Sequence, residues 1–406
     1  MRRAPLCHFV RDMNQYAFLL GKNASLSVAE LGVFFGEGID VAKNNEVAFV
    51  DKELPGAPQD FLNRLGGTTE ILEIFKKEIP ISSIEPVLAE FLKKKAAEST
   101  GKLEFAVSVI PENKHTNLLK YLLPKLKKTL RAAGASSGFL NKDFKNINAV
   151  FASKQNLVKK GTNISIVCIG EGKVSLGFSV AMQDFEAYSR RDYGKPFRDA
   201  HAGMLPPKLA QIMINLGQAP LVFDPFCGSG TILMEAMLMG LSVVGSDMDL
   251  KMVEGSKQNT NWLTQNCRVP SEVTCEISQS DAAVALPKTD YSIISVVTEP
   301  LLGPPLSAFP AQSFLNNLII KLENLYLNFF ANLAEKTPVG AQVVFILPYW
   351  KQRGGAKAVA LSDKVVAKIC KLGYIKSVFA PLNATSLFYD RPDQVVGREI
   401  VRFTRK

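Results

Sequence analysis

The chain has 406 residues, 47% of them hydrophobic and 21% charged, with a formal net charge of +10. That length suggests two or three domains at roughly 100–200 residues each, and that balance excludes intrinsic disorder. No apolar run reaches the roughly 18 residues that cross a bilayer, and the basic stretch Met1 to His8 lacks a signal-peptide apolar core, so the expectation is a soluble, cytoplasmic protein with no membrane partner.

In chain order, Tyr16 to Leu20 reads as a strand and Ser25 to Leu31 as a helix with Ser25 or Ser27 at its N-cap. Glu46 to Val50 is a second strand, Pro58 to Leu65 a helix stopped by Gly66-Gly67, and Ile71 to Phe75 a third strand. This alternation predicts a small α+β sheet domain over 1–95. A second region, 96–186, opens with the strand Glu104 to Val109 and the helix Asn117 to Ala133, whose leucine stripe reads as core. Ala149-Val150-Phe151, Ile164 to Val167 and Ser175 to Val180 read as its later strands. Lysines crowd the polar side of that helix and the chain beyond it: Lys114, Lys120, Lys125, Lys127, Lys128, Arg131, Lys142, Lys145, Lys154, Lys159 and Lys160 face few acids, chiefly Glu112 and Asp143. Such an excess is a footprint for phosphate, with a solvated helix face as the alternative. Segment 187–197, with its Gly, Pro and charges, reads as a linker. Beyond it, 198–406 alternates strands and helices, the pattern of a doubly wound parallel sheet.

The six cysteines (Cys7, Cys168, Cys227, Cys267, Cys275, Cys370) form no CxxC pair, and His8, His115 and His201 are widely separated. No metal site is expected, and free thiols fit a reducing cytosol.

The chemistry concentrates in the third region. The strand Pro220 to Phe223 runs into Asp224-Pro225-Phe226-Cys227-Gly228-Ser229-Gly230-Thr231 and then a helix to Gly240. Two glycines let the backbone turn sharply and lie against a ligand, while the free amides of the first helical turn face it. Asp224 adds a negative charge, so the loop suits a ligand bearing both an amine and a carboxylate. The methionine end of S-adenosylmethionine is one such ligand, and a structural turn is the alternative. The next strand ends in Asp247, spaced to accept from ribose hydroxyls. Asp281 follows a third strand and is placed to accept from an adenine amine. A fourth strand, Ser292 to Thr298, ends in Glu299-Pro300, where a carboxylate accepts from the exocyclic amine of a nucleobase and aims its lone pair. A turn-capping Glu is the alternative. Asp-Pro-Phe-Cys-Gly-Ser-Gly is not the GxGxxG of a nicotinamide dehydrogenase.

These residues resemble the THUMP-domain class I RNA methyltransferases, and within them the tRNA guanine-10 N2-methyltransferases. The likeness covers nearly the whole chain. Leu19-Leu20-Gly21, Leu26 to Leu31 and Arg64 to Gly67 are similar to that family's ferredoxin-like domain. Phe105 to Val109, Gly134 to Ser137 and Leu176 to Asp184 resemble its THUMP domain. Arg191 to Pro196, Met204 to Ala210 and Leu387 to Ile400 resemble the lead-in and closing hairpin of its Rossmann-like methyltransferase domain. The resemblance implies S-adenosylmethionine as cofactor, held at Asp224, Pro225, Phe226, Gly228, Ser229, Gly230, Thr231, Asp247 and Asp281. It implies tRNA as partner, gripped at the acceptor end by the THUMP domain through Lys127, Lys128, Arg131, Lys142 and Lys145, and a target base flipped into the pocket. Glu299 and Pro300 stand where the family has Asp-Pro-Pro-Tyr, and Leu302 takes the place of its aromatic ring. Tyr349, Trp350 or Phe309 is then the candidate for stacking on the base, which is worth roughly 1–3 kcal/mol in single-strand binders. Two alternatives stand: an RNA-binding protein with weak or no catalysis, and a methyltransferase for another RNA base. The need for a small activating protein partner is not legible in these residues.

Overall fold

The computed structural model describes residues 15–112, 117–198, 204–351 and 357–406, so Cys7, His8, Lys114, His115 and His201 lie outside the described residues. The chain divides into two units: 15–24, 37–63 and 68–183 form the first, and 25–36, 64–67 and 184–406 the second. Among the described residues, no helix is long and apolar enough to cross a membrane.

The first unit is built on one sheet of eight strands: β1 (Tyr16–Leu20), β2 (Ile39–Val41), β3 (Val47–Val50), β4 (Thr68–Pro80), β5 (Leu103–Ile110), β6 (Ser137–Phe139), β7 (Asn163–Gly170) and β8 (Lys173–Met182). Their order is β2-β3-β1-β4-β8-β7-β5-β6. The expected separation at residue 95 therefore falls inside a continuous sheet, because β4 pairs antiparallel with β8 from Glu70↔Met182 to Pro80↔Lys173. The helix Leu118–Ala132 buries Leu119, Leu122, Leu123, Leu126 and Leu130 against β5, β7 and β8. At about 1.5–3 kcal/mol per fully buried leucine, that stripe fixes which side of the helix faces solvent. Lys127, Lys128 and Arg131 lie on the exposed side, and Lys142 and Lys145 are exposed in the following loop. Ala149-Val150-Phe151, read as a strand, is instead the start of the helix Ala149–Lys154, because the Asn148 side chain accepts from Phe151 N at 2.8 Å and caps it.

The second unit is a doubly wound sheet of nine strands: β9 (Leu221–Asp224), β10 (Ser242–Asp247), β11 (Cys275–Gln279), β12 (Ile294–Thr298), β13 (Gln342–Lys351), β14 (Lys357–Ala360), β15 (Tyr374–Lys376), β16 (Leu387–Tyr389) and β17 (Val396–Arg405). The order is β11-β10-β9-β12-β13-β17-β15, with β14 on β13 and β16 on β17. Strands β9 to β13 pair parallel and β17 pairs antiparallel to β13. Strand order reverses between β9 and β12, the position where open α/β sheets bind ligands.

Two short pieces of the N-terminal region complete this unit. The helix Ala24–Phe35 and the turn Gly66-Gly67 join it through Glu30, a fully buried carboxyl. Glu30 accepts from Gly66 N at 2.9 Å, Gly67 N at 2.8 Å and Asn215 Nδ2 at 2.7 Å. Burial pushes its pKa up to about 7 against those donors. The segment read as a linker is likewise part of the unit: 185–193 is a helix, capped by Asp184 accepting from Ala187 N at 2.9 Å.

Glu30→Ala strands three buried N–H donors. It is expected to lower the stability of the second unit by about 2–4 kcal/mol, read as a lower thermal midpoint.

Candidate cofactor and substrate site

The strand β9 is a run of apolar residues buried on both faces, as a central parallel strand requires. It delivers Asp224 to the strand end, where the chain must reverse into the helix Thr231–Leu238. Gly228 and Gly230 make that turn at φ +50° and +79°, a region costly for side chains. A Cβ on Gly230 would stand 2.3 Å from Ser256 Oγ, whereas one on Gly228 would meet nothing within 4 Å. Gly228 thus leaves bare backbone against open space.

Polar groups from four directions fix the loop. Asp224 Oδ1 accepts from Thr298 Oγ1 at 2.6 Å and from Phe226 N at 3.2 Å. Gly228 N and Asp249 N donate to the two oxygens of Asp247 at 2.9 and 3.0 Å. Asn259 Nδ2 donates to Ser229 O at 2.8 Å, and Lys195 Nζ to Thr231 Oγ1 at 3.0 Å. Arg191 forms a buried two-point pair with Glu235 of the loop's helix, at 2.7 and 3.2 Å. Burial pushes the Asp224 pKa up to about 7, raises that of Asp247 against its backbone donors, and lowers that of Lys195.

Above the strand ends lies a cavity of about 500 Å³, within the usual range for small-molecule sites. It is lined by Asp224, Pro225, Phe226, Gly228, Ser229, Thr231, Asp247, Asp281, Glu299 and Pro300. The structure therefore brings together the residues expected to hold cofactor and base, except that Gly230 is buried behind the loop. Asp281 accepts from Ala283 N at 2.9 Å through one oxygen. Glu299 pairs with Arg398, whose Nε donates to Glu299 Oε1 at 2.5 Å.

The cavity also has walls that the sequence reading missed: Met204, Met248, Met252, Asp393, Gln394 and Arg398. The segment 393–398 is held by Asp390, which accepts from Tyr349 Oη at 2.5 Å and pairs with Lys351 at 3.2 Å. That fixes the role of Tyr349 and corrects the expectation that it stacks on a base. Its ring lies over the backbone of Gly397, where a Cβ would stand 2.2 Å from Cζ. Trp350 is corrected too. It is fully buried in the core with Leu361, Val365 and Val395, because β13 has partners on both edges and packed layers on both faces. Phe309 packs against the same core. Among the described residues, Phe226 is the aromatic ring on the cavity wall.

Because burial raises Asp224, the native state holds a proton that the unfolded state releases between about 3.8 and about 7. Its contribution therefore makes stability fall as pH rises through that window. Asp224→Asn is expected to flatten the decline by up to about 1.4 kcal/mol per pH unit, measured by denaturant titration at pH 4 to 8.

A family model described as DNA methylase (N6_N4_Mtase) matches residues 13–258. The chain is similar to the tRNA (guanine(10)-N2)-dimethyltransferase of Methanothermobacter thermautotrophicus, with 33% identity over 163 residues, 39% of this chain and 43% of that protein. It is also similar to the protein of the same name from Pyrococcus abyssi, with 39% identity over 111 residues, 26% of this chain and 32% of that protein. The matches span less than half the length of these relatives. Among solved structures, TrmN from Thermus thermophilus superposes with a TM-score of 0.50 at 16% identity, covering 97% of this chain and 99% of that one, a likeness of fold. The family match extends over more than half of the 406 residues, and the chain belongs to the DNA methylase family.

Proposed function

We propose that this protein transfers a methyl group from S-adenosylmethionine to the exocyclic N2 of guanine at position ten of tRNA. The observation that carries the reading is one cavity at the switch point of the sheet, bounded by the glycine loop, Asp247, Asp281 and Glu299. The names of the relatives matched above support the substrate.

The cavity fits this cofactor. Gly228 turns bare backbone to open space, and the carboxylates of Asp247 and Asp281 are each only partly committed to backbone amides. Asp247 would take the ribose hydroxyls and Asp281 the adenine amine, while Asp224, Pro225, Phe226, Ser229, Gly230 and Thr231 shape the loop around the amino-acid end. When bound, S-adenosylmethionine supplies an electrophilic methyl group on a sulfonium. Glu299 would accept a hydrogen bond from the exocyclic amine, so that the nitrogen's lone pair faces the cavity, and Pro300 fixes the backbone that carries the carboxylate. The gain is positioning and electrostatics rather than covalent catalysis.

In this reading the first unit comprises the THUMP domain and the ferredoxin-like domain apart from its segments 25–36 and 64–67, which belong to the second unit. The exposed Lys127, Lys128, Arg131, Lys142 and Lys145 of the first unit supply the phosphate contacts to tRNA.

The test is transfer of labelled methyl from S-adenosylmethionine to unmodified tRNA transcripts, with the labelled nucleoside identified by mass spectrometry. Label in N2-methylguanosine is expected, and Glu299→Ala should cut turnover at saturating tRNA by roughly 10²–10³-fold while leaving the salt dependence of tRNA binding unchanged. Label in a different nucleoside would replace the substrate, and full activity in Glu299→Ala would displace the catalytic assignment.

A further inference from the structure

We propose that Arg398 is the positioning residue for base recognition: it holds one oxygen of Glu299 so that the other meets the exocyclic amine, and it turns its own free N–H groups toward the same base. The proposal rests on the guanine-N2 reading above.

The geometry begins with strand register. On β17, Arg398 lies opposite Pro348 of β13 and Tyr389 of β16. Its neighbour Glu399 is committed elsewhere, accepting from Ser362 Oγ and Ser386 Oγ, both at 2.6 Å. Successive strand residues point to opposite faces, so anchoring Glu399 there obliges Arg398 to point the other way, and Arg398 lines the cavity. The guanidinium carbon stands 5.9 Å from the Tyr389 ring centroid, and Nε reaches Glu299 Oε1 at 2.5 Å. Glu299 comes from the far side of β13, one residue past the end of β12. The contact therefore ties the carboxylate to a strand two places away in the sheet.

Both side chains are largely buried, 9% exposed for Arg398 and 13% for Glu299. Their valences are nevertheless half used. Among the described residues, Glu299 Oε2 accepts no hydrogen bond and the two Nη groups of Arg398 donate none. A pair kept for stability alone would be expected to saturate itself, since buried ion pairs cost desolvation and are matched or bettered by apolar residues. An acceptor beside a fork of donors on a cavity wall is instead a recognition surface. The amine of guanine donates to Oε2, and a guanidinium N–H donates to an acceptor atom of the same base. Charge on Arg398 also balances that of Glu299 at this wall.

The experiment compares equilibrium binding of two tRNA transcripts, one with guanosine and one with inosine at position ten, in the presence of S-adenosylhomocysteine. Inosine lacks only the exocyclic amine, so the ratio of the two affinities reads its contact, and no turnover is needed. The wild type should prefer guanosine by roughly 10–100-fold, the value of one charge-assisted hydrogen bond. Arg398→Gln should bring the ratio to about one, and Arg398→Lys, which keeps the charge but loses the fork, should fall between. A purely structural role lowers the melting temperature and weakens both transcripts alike. A wild-type ratio retained in Arg398→Gln would therefore overturn the proposal. If Arg398→Gln does not fold, a wild-type ratio in Arg398→Lys overturns it. A ratio of one in the wild type itself overturns the guanine-N2 reading and this proposal with it.

Discussion

The second unit depends on holding one reversed turn, Asp224 to Thr231, at the end of a buried strand. The turn needs positive φ at Gly228 and Gly230, and Ser256 leaves no room behind Gly230 for a side chain. Phe226 and Cys227 anchor the loop in the apolar cores beside it. Polar groups pin the rest: Thr298 and Asp247 at the strand ends, Asn259 and Lys195 along the loop, and Arg191 on Glu235 within the following helix. Several of these are charged and buried. Breaking one such buried pair typically costs about 3–5 kcal/mol, because the remaining charge is left uncompensated. The local rigidity of the loop therefore rests on a network that is intolerant of single losses.

The same environment assigns different roles to neighbouring carboxyls. Asp224 is fully enclosed and bonded to Thr298, so it shapes the loop more than it faces a ligand. Asp247 accepts from backbone amides through both oxygens and stands at the cavity wall. Glu299 is held from one side by Arg398. An acid-lined cavity with backbone donors at one end suits a ligand that carries a cationic centre, an amine and a carboxylate together.

Much of this site was legible in the residues because its signals are local. A strand, a glycine turn and a helix follow one another within a few positions, and acids at the ends of parallel strands are revealed by strand period alone. What escaped depends on distant partners. Nothing near Arg398 in sequence announces that it reaches Glu299, about a hundred residues away. The contribution of 25–36 and 64–67 to the second unit rests on Glu30 and Asn215, which only the folded chain brings together. Polar composition made 187–197 look like a linker, yet its Arg191 and Lys195 are spent on Glu235 and Thr231. Tyr349 and Trp350 sit at a strand's end, where a ring reads equally well as rim or core, and only the packing around β13 decides.

If the cavity over β9, β10 and β12 seats the cofactor, isothermal titration with S-adenosylhomocysteine reads it without turnover. One molecule should bind per chain, with affinity reduced at least ~10-fold in Asp247→Ala by loss of hydrogen bonds to a charged group, and with no change when Lys127 and Lys128 are both replaced by alanine. Absence of binding by the folded wild type, or an affinity indifferent to Asp247, would contradict it.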